Sequence, residues 1–142
     1  MTSVEYRRRP DGLYLAAVQI EFQEGKRLAY SGVLVDTGAT KCMVPKVTNE
    51  QVFHFEKVGR DDEVDTGLGP ATYDWIVIPK MTLMARRLAR EGETSVTYGL
   101  KETDLSQVNV EAWLGDDYVL GMNFIGQFDV RMTRDGRIIF EG

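Results

Sequence analysis

The sequence predicts an all-β domain whose strands form a barrel-like sheet. Short runs in which apolar and polar residues alternate recur along the chain, and a period of two residues is typical of strands. Turn sequences rich in glycine separate several of these runs and indicate hairpins. Segments with a helix-forming composition are few. Many short strands with little helix favour a β-barrel.

Length and composition indicate a single folding unit. A chain of 142 residues can bury one core, and 43% apolar with 27% charged residues is ordinary for a soluble globular protein. Residues 1–12 are polar and end in the turn sequence Pro-Asp-Gly, so we assign them to an N-terminal extension. Residues 13–142 are assigned to one domain.

The domain is predicted to open with two adjacent antiparallel strands. Apolar residues alternate with polar ones in residues 13–22, and residues 23–26 have the composition of a hairpin connection. Residues 27–35 then return as the second strand, which ends at a carboxylate.

The later elements follow from the same two signals. Residues 41–45 form a short apolar segment that Pro45 ends. Strands are predicted at residues 108–114, 118–121, 128–132 and 137–140, and a short helix at residues 124–128. Residues 46–58 carry both helix-capping and strand-favouring residues, so their structure stays open. Residues 84–92 have a helix-forming composition and three arginines, and they are interpreted as a solvated insert, with an anion site as the minor alternative. Residues 94–105 are polar and stay unassigned.

A glycine-rich hairpin is predicted at residues 64–83. Its tip is Thr-Gly-Leu-Gly-Pro at residues 66–70, and aromatic and β-branched residues follow. This composition suits a hairpin that can lift and close over a site. The alternative is a simple surface hairpin.

One apolar run ends directly in a candidate catalytic group. Residues 32–35 are Gly-Val-Leu-Val, and Asp36-Thr37-Gly38 follows them. Such a run predicts a strand buried on both faces. A tight loop after it can donate backbone N–H groups to the Asp36 carboxylate, and Gly38 permits a close approach. Taken alone, Asp-Thr-Gly is also ordinary turn chemistry, so a plain loop is the alternative.

A second motif changes this balance. Residues 118–124 again join an apolar run to a glycine, here Gly121, and then to Asn123. Together, residues 34–40 and 119–124 resemble the two signatures of the retropepsin-like aspartic proteases, which include the retroviral proteases and their cellular and bacterial relatives. The resemblance spans residues 13–140. It implies a closed β-barrel with one short helix after the second signature, a flap hairpin at residues 64–83, and a homodimer.

The chemistry of this class explains why a dimer is expected. Two carboxylates a few ångström apart hold one proton between them, so one activates a water and the other protonates the carbonyl oxygen. A second Asp-Thr-Gly begins at Asp65, but it follows charged residues rather than an apolar run and lies too close to Asp36 for a second lobe. We therefore assign Asp65 to the flap. The second carboxylate is expected to be Asp36 of another copy.

The resemblance also implies roles for the neighbouring residues. Asp36 would be the catalytic residue, and Gly121 and Asn123 would pack and hydrogen-bond behind its loop. The residues that would support the active-site loop are Thr37, Gly38, Ala39 and Thr40. The residues that would lie on or near the flap and bind an extended peptide are Leu68, Gly69 and Tyr73. The candidates for side-chain subsites are Val33, Val77 and Ile78.

This sequence departs from the family pattern at two places. Met122 stands where retroviral enzymes usually have Arg, so an ion pair of that region is expected to be absent. The span between the flap and the second signature is longer than in the viral enzymes, and the insert at residues 84–105 has no counterpart that would explain it.

Other function classes are disfavoured by composition. The net charge of −5 argues against nucleic-acid binding, and the chain has neither an apolar stretch long enough for a membrane span nor a signal-peptide core. One cysteine and one histidine cannot form a zinc cluster within a chain, so no metal or cofactor is expected. A reducing, cytoplasmic location is the expectation. A catalytic pair of Cys42 and His54 is a minor alternative.

Three hypotheses remain on the sequence alone. The first is a homodimeric aspartic endopeptidase acting on an extended peptide or protein substrate. The second is a catalytically silent domain of the same fold that dimerises or binds peptides, since fold does not guarantee activity. The third is a monomeric β-barrel binding module in which Asp-Thr-Gly is accidental.

Overall fold

A computed structural model describes residues 2–23, 25–86 and 99–142 of the chain. Within these ranges the strands are β1 (Ser3–Arg7), β2 (Leu15–Phe22), β3 (Lys26–Val35), β4 (Cys42–Pro45), β5 (Gly59–Thr66), β6 (Gly69–Arg86), β7 (Leu100–Gly115), β8 (Val119–Leu120), β9 (Asp129–Met132) and β10 (Arg137–Glu141). The helical segments are α1 (Lys46–Thr48), which continues into a π-helical turn at Asn49–Phe53, and α2 (Met122–Ile125).

Six strands close into a barrel. Hydrogen-bonded neighbours follow one another in the order β2-β3-β8-β4-β7-β6, and β6 pairs back onto β2. The closing pair is antiparallel and sets Val18 opposite Leu83 and Ile20 opposite Met81. The predicted all-β, closed-barrel fold is therefore confirmed.

A hairpin projects from one edge of the barrel. β5 pairs only with β6 in the described sheet, and the two-residue turn Gly67–Leu68 joins them. The paired part runs from Gly59 opposite Trp75 to Thr66 opposite Gly69, and we call residues 59–75 the flap hairpin. Its tip coincides with the tip of the flap candidate predicted at residues 64–83.

A three-stranded sheet packs beside the barrel. Its order is β1-β10-β9, so the last strand lies between two strands of its own chain. Val4 and Tyr6 of β1 are buried, and the Tyr6 hydroxyl donates to the carbonyl oxygen of Met84 at 2.7 Å. Part of the predicted N-terminal extension is thus a strand of the fold. The reason is that its two inward side chains have a partner sheet supplied by the far end of the chain.

The core fills the barrel and the space under the small sheet. Alternate residues of the barrel strands point inward, as the period of two predicts. The largest fully buried side chains are Phe53, Phe124, Phe140, Ile20, Ile76, Ile78, Met81, Leu83, Leu114, Leu120, Ile138 and Val18. Burial of a side chain of this size stabilises a fold by about 1.5–3 kcal/mol.

Several predicted boundaries shift. The short helix forms at Met122–Ile125 instead of residues 124–128, because it begins immediately after Gly121 and ends at Gly126. The undecided residues 46–58 contain α1 and the π-helical turn. Met84 to Arg86 and Leu100 to Leu105 of the supposed insert extend β6 and β7 as a long hairpin. The remaining part of the insert that was predicted helical or polar, residues 87–98, lies outside the described residues.

Candidate active site

The loop that carries Asp36 joins two barrel strands. β3 ends at Val35 and β4 begins at Cys42, so the loop is only six residues long. The Asp36 N–H donates to the carbonyl oxygen of Leu120 at 3.0 Å, and the Ala39 N–H donates to the carbonyl oxygen of Asp36 at 3.2 Å. These bonds anchor the start of the loop to the neighbouring strand and close a tight turn.

The Asp36 carboxylate is oriented by its own loop. The Gly38 N–H donates to Asp36 Oδ1 at 2.9 Å. A Cβ at position 38 would lie 3.2 Å from the same oxygen, so glycine lets the backbone approach the carboxylate without crowding it. Asp36 is half-buried, whereas Thr37 and Gly38 are exposed. The carboxylate therefore has a fixed direction and an open side.

The second signature lies directly behind the loop. The Met122 N–H donates to the carbonyl oxygen of Ala39 at 2.7 Å, and the Asn123 N–H donates to that of Thr40 at 3.2 Å. A Cβ at Gly121 would lie 2.2 Å from the carbonyl oxygen of Lys41. Glycine is required there because no side chain fits between the two segments.

The Asn123 side chain fastens the loop to two strands. Its Oδ1 accepts the N–H of Cys42 on β4 at 3.0 Å, and its Nδ2 donates to the carbonyl oxygen of Glu111 on β7 at 2.7 Å. Both partners are backbone groups, so these hydrogen bonds fix the positions of the segments and do not neutralise a charge. Asn123 thus stabilises the base of the loop and makes no direct contact with the Asp36 carboxylate.

Replacing Asn123 by Ala should destabilise the protein by about 2 kcal/mol, because a buried N–H and a carbonyl lose their partners. The free energy of unfolding, measured by urea titration, checks this. Gln127→Ala is the matched control, since Gln127 is exposed just after α2 and should shift stability by no more than about 0.5 kcal/mol. Equal effects of the two substitutions would contradict the assigned role of Asn123.

An open cavity of about 690 Å³ lies between the loop and the flap hairpin. The residues that line it are Asp36, Gly38, Ala39, Thr40, Lys41, Met43, Asp61, Val64, Asp65, Thr66, Gly67, Tyr73, Trp113 and Val119. The structure thus brings most of the predicted loop residues and the predicted flap residue Tyr73 to one space. It also places Asp65 there, on the flap, where the sequence assigned it.

Some predicted binding residues lie elsewhere. Leu68 is fully exposed at the tip of the flap hairpin, and neither it nor Gly69 lines the cavity of a single chain. Val33 and Ile78 are buried in the barrel core, so they are wrong as subsite candidates. The resemblance suggested them, but it does not determine which side chains of a strand face the core and which face the cavity.

The sequence reasoning missed a cluster of charged and aromatic residues beside the loop. Lys41 Nζ lies 2.8 Å from Asp61 Oδ2 and 3.3 Å from Glu111 Oε1, and 4.3 Å from the centre of the Trp75 ring. Trp113 Nε1–H donates to Asp61 Oδ2 at 2.8 Å. We call these five residues the Lys41 cluster. The only sequence signal for it was the position of Lys41 immediately after the Asp-Thr-Gly-Ala-Thr motif.

A thiol-based site is not supported by the geometry. Cys42 is fully buried under the loop, and burial raises the pKa of its thiol to about 11, although the N–H of Gly121 opposes the shift. A thiol that stays protonated and inaccessible is a poor nucleophile. His54 is exposed and ends the π-helical turn with a φ of 57°.

Comparison with solved structures connects this arrangement to a known architecture. The chain is similar to the crystal structure of a retropepsin-like aspartic protease from Rickettsia conorii, with a TM-score of 0.58 and 16% sequence identity. The similarity covers 98% of this chain and 89% of that one. This chain has the retropepsin-like fold. No protein-family model matches the sequence, and no curated protein matches it significantly.

The retropepsin-like fold accounts for the relation between the two sequence signatures. The segment Gly121–Asn123 packs beside the loop after β3, so two motifs that are far apart in the sequence share hydrogen bonds. Among the described residues, no helix is long and apolar enough to span a membrane.

Proposed function

We propose that the protein is a homodimeric aspartic endopeptidase in which two Asp36 carboxylates, one from each copy, activate a water. The observation that carries the proposal is the placement of Asp36. It is half-buried, fixed by the Gly38 N–H and open to a cavity that the flap hairpin borders. The similarity to a protein of the same fold that is described as an aspartic protease supports this proposal.

The proposed chemistry needs only side chains and water. The ionised Asp36 accepts a proton from the water while the protonated Asp36 of the other copy donates a hydrogen bond to the substrate carbonyl oxygen. The water oxygen then attacks the carbonyl carbon as the protonated carboxyl gives its proton to the carbonyl oxygen, which forms a diol. When the C–N bond breaks, the carboxyl that took the water's proton gives it to the leaving amine, and the other carboxylate takes a proton back from the diol. The two carboxylates titrate as a pair. An extended peptide would lie between the loop and the flap hairpin.

A second copy is required in this proposal because, among the described residues that line the cavity, no other carboxylate is placed as Asp36 is. Asp61 lines the same cavity, but it is already bonded to Lys41 and Trp113. Asp65 lies in strand β5 of the flap hairpin, whereas Asp36 lies in a tight loop whose Gly38 N–H orients its carboxylate. The surface for the second copy cannot include the backbone edges of β10, since β1 and β9 occupy both of them.

Mixing active and inactive chains tests whether the site is shared. At a fixed wild-type concentration, a ninefold excess of the Asp36→Asn chain should lower cleavage to about a tenth, because most wild-type chains then pair with an inactive copy. The chains are incubated until subunits exchange, and cleavage of a peptide library is followed by mass spectrometry. The cleaved peptides also identify the sequence preference, since alternate side chains of an extended peptide would determine the specificity.

Two measurements complete this experiment. Sedimentation equilibrium gives the mass of each chain alone and defines the concentration at which dimers form. The control is the same ninefold excess of an unrelated folded protein, which should leave cleavage unchanged. Native mass spectrometry with an affinity-tagged Asp36→Asn chain distinguishes mixed dimers from the two pure dimers by mass. If cleavage persists undiminished although mixed dimers form, the site lies within one chain and the proposal is wrong.

A further inference from the structure

The Lys41 side chain connects the flap hairpin to the loop that carries Asp36. Lys41 is the residue that follows Thr40 and leads into β4, and its side chain is only 20% exposed. Its ammonium donates to Asp61 on β5 at 2.8 Å. Since β5 pairs only with β6 among the described strands, this contact connects the outer strand of the flap hairpin to the floor of the cavity.

Both strands of the flap hairpin contact Lys41. Asp61 comes from β5, while Trp75, whose ring lies 4.3 Å from the Lys41 ammonium, comes from β6. The Trp75 ring also packs against Gly59, where any Cβ would lie within 2.6 Å of the indole nitrogen. A cation near an indole face adds attraction that a neutral side chain would lack.

The remaining two residues of the Lys41 cluster lie on a strand of the barrel wall. Glu111 and Trp113 belong to β7, whose pairing with β4 and β6 forms part of the barrel wall. Trp113 donates to the same Asp61 oxygen as Lys41, and Tyr73 stacks on Trp113 with ring centres 5.8 Å apart. The flap hairpin therefore cannot lift at Asp61 without breaking two charge-assisted hydrogen bonds.

The backbone of β5 is irregular immediately after Asp61. The register of β5 against β6 shifts between Asp61 and Val64, and Glu63 has a φ of 56°. A bulge of this kind bends a strand and redirects its side chains. This bulge lies between Asp61, which contacts Lys41, and the tip of the hairpin at Gly67–Leu68. It therefore separates the part of the hairpin that Lys41 contacts from the tip.

From this geometry we propose that Lys41 and Asp61 form a closure contact that positions the flap hairpin over Asp36. Lys41 is then a positioning residue for the proposed protease rather than a catalytic residue. When the contact is made, the cavity keeps the shape that an extended peptide needs. When it is broken, the flap hairpin opens more often and the substrate binds more weakly.

The ionisation of the two groups agrees with a contact that persists in acid. Hydrogen bonds from Lys41 and then Trp113 hold the pKa of Asp61 below its usual range. Burial opposes the charge of Lys41, but hydrogen bonds to Asp61 and Glu111 raise its pKa overall. Because the pKa of Asp61 is lowered, the contact is present above the ordinary pKa of Asp and is lost only as pH falls through the lowered value. Two further acids, Asp36 and Asp65, line the same cavity.

The first test is hydrogen exchange, which does not depend on catalysis. Asp61→Asn keeps the shape and the hydrogen-bond acceptor but removes the charge, and it should raise amide exchange rates in residues 59–75 about tenfold. Lys41→Met should do the same, and Lys41→Arg should restore protection. Asp74→Asn is the matched control, because Asp74 lies on the same hairpin and pairs with Lys57 and Arg60 away from the cavity. Unchanged exchange in both Asp61→Asn and Lys41→Met would overturn the proposal.

The second test is kinetic and rests on the proposed function. Each substitution should raise KM about tenfold and change kcat less, because the contact positions the flap hairpin and takes no part in bond cleavage. The double variant Lys41→Met/Asp61→Asn should be no worse than the worse single variant. Additive effects, or a higher KM without faster exchange, would show that Lys41 binds substrate directly and would overturn the proposal. If neither the wild type nor any variant cleaves but exchange responds as expected, the closure contact stands and the protease assignment fails.

Discussion

Replacing Asp36 by Asn is expected to abolish peptide cleavage while dimers still form. Asn keeps the size of the side chain and an oxygen that can accept the Gly38 N–H, so the loop should retain its shape. It cannot accept a proton from water, and a pair of amides cannot share one. The loss in kcat/KM should be about 10³-fold or more, which is the contribution of an acid–base group that no neighbour replaces.

The measurement is cleavage of a broad peptide library at about pH 4–6, where a carboxylate pair can hold a single proton. Asp65→Asn is the informative comparison, because Asp65 begins the second Asp-Thr-Gly of the chain and lines the same cavity. It should change KM but keep most of kcat. Cleavage that survives Asp36→Asn would contradict the protease proposal. A wild-type dimer that binds peptides without cleaving them would favour the silent binding domain instead.

The sequence predicted those features that local chemistry determines. The run before Asp36 and the run before Gly121 are apolar because both strands lie in the barrel wall, where Val33 and Leu120 are buried. Burial on both faces was wrong for the first run, since Leu34 and Val35 are only half-buried. The final hairpin was equally predictable, because Asp135-Gly136 supplies the turn and Gly136 adopts a φ of 81°. In each case the signal lies within a few residues of the element it defines.

Features that depend on distant partners were not predictable in the same way. β1 is polar except for Val4 and Tyr6, and it becomes a strand only because β10 arrives beside it from the other end of the chain. The Lys41 cluster draws on β5, β6 and β7, so no stretch of sequence contains it. Val108 alternates correctly with Val110 but is exposed, because Asn109 between them has a φ of 53° and breaks the pattern.

Gly121→Ala is expected to cause the largest loss of stability of any single methyl addition in the site. The backbone of Gly121 has φ −99° and ψ 178°, which any residue can adopt, so conformational strain gives no reason for a glycine here. The obstacle is contact alone. A Cβ would lie 2.2 Å from the carbonyl oxygen of Lys41 and 2.9 Å from the backbone nitrogen of Cys42. Relieving this overlap should cost about 3 kcal/mol or more.

The cost is high because neither side can move alone. Cys42 begins β4, which is held between β7 and β8, and Lys41 directly precedes it. The segment after Gly121 is bonded to Ala39 and Thr40 of the loop that carries Asp36. Shifting one segment away from the added methyl group therefore breaks hydrogen bonds of the other. Because the bonds to Ala39 and Thr40 hold the loop that carries Asp36, the rate of cleavage should fall together with the free energy of unfolding.

Gly67→Ala provides the control for this prediction. A Cβ at Gly67 meets nothing within 4 Å and its φ is not positive, so stability should change by no more than about 0.5 kcal/mol. Both free energies come from urea titrations under the same conditions. If Gly121→Ala proved as mild as Gly67→Ala, the second signature would not pack directly against the loop that carries Asp36. The shared hydrogen bonds would then be too loose to fix the direction of the Asp36 carboxylate, and the chemistry proposed for the dimer would lose its structural basis.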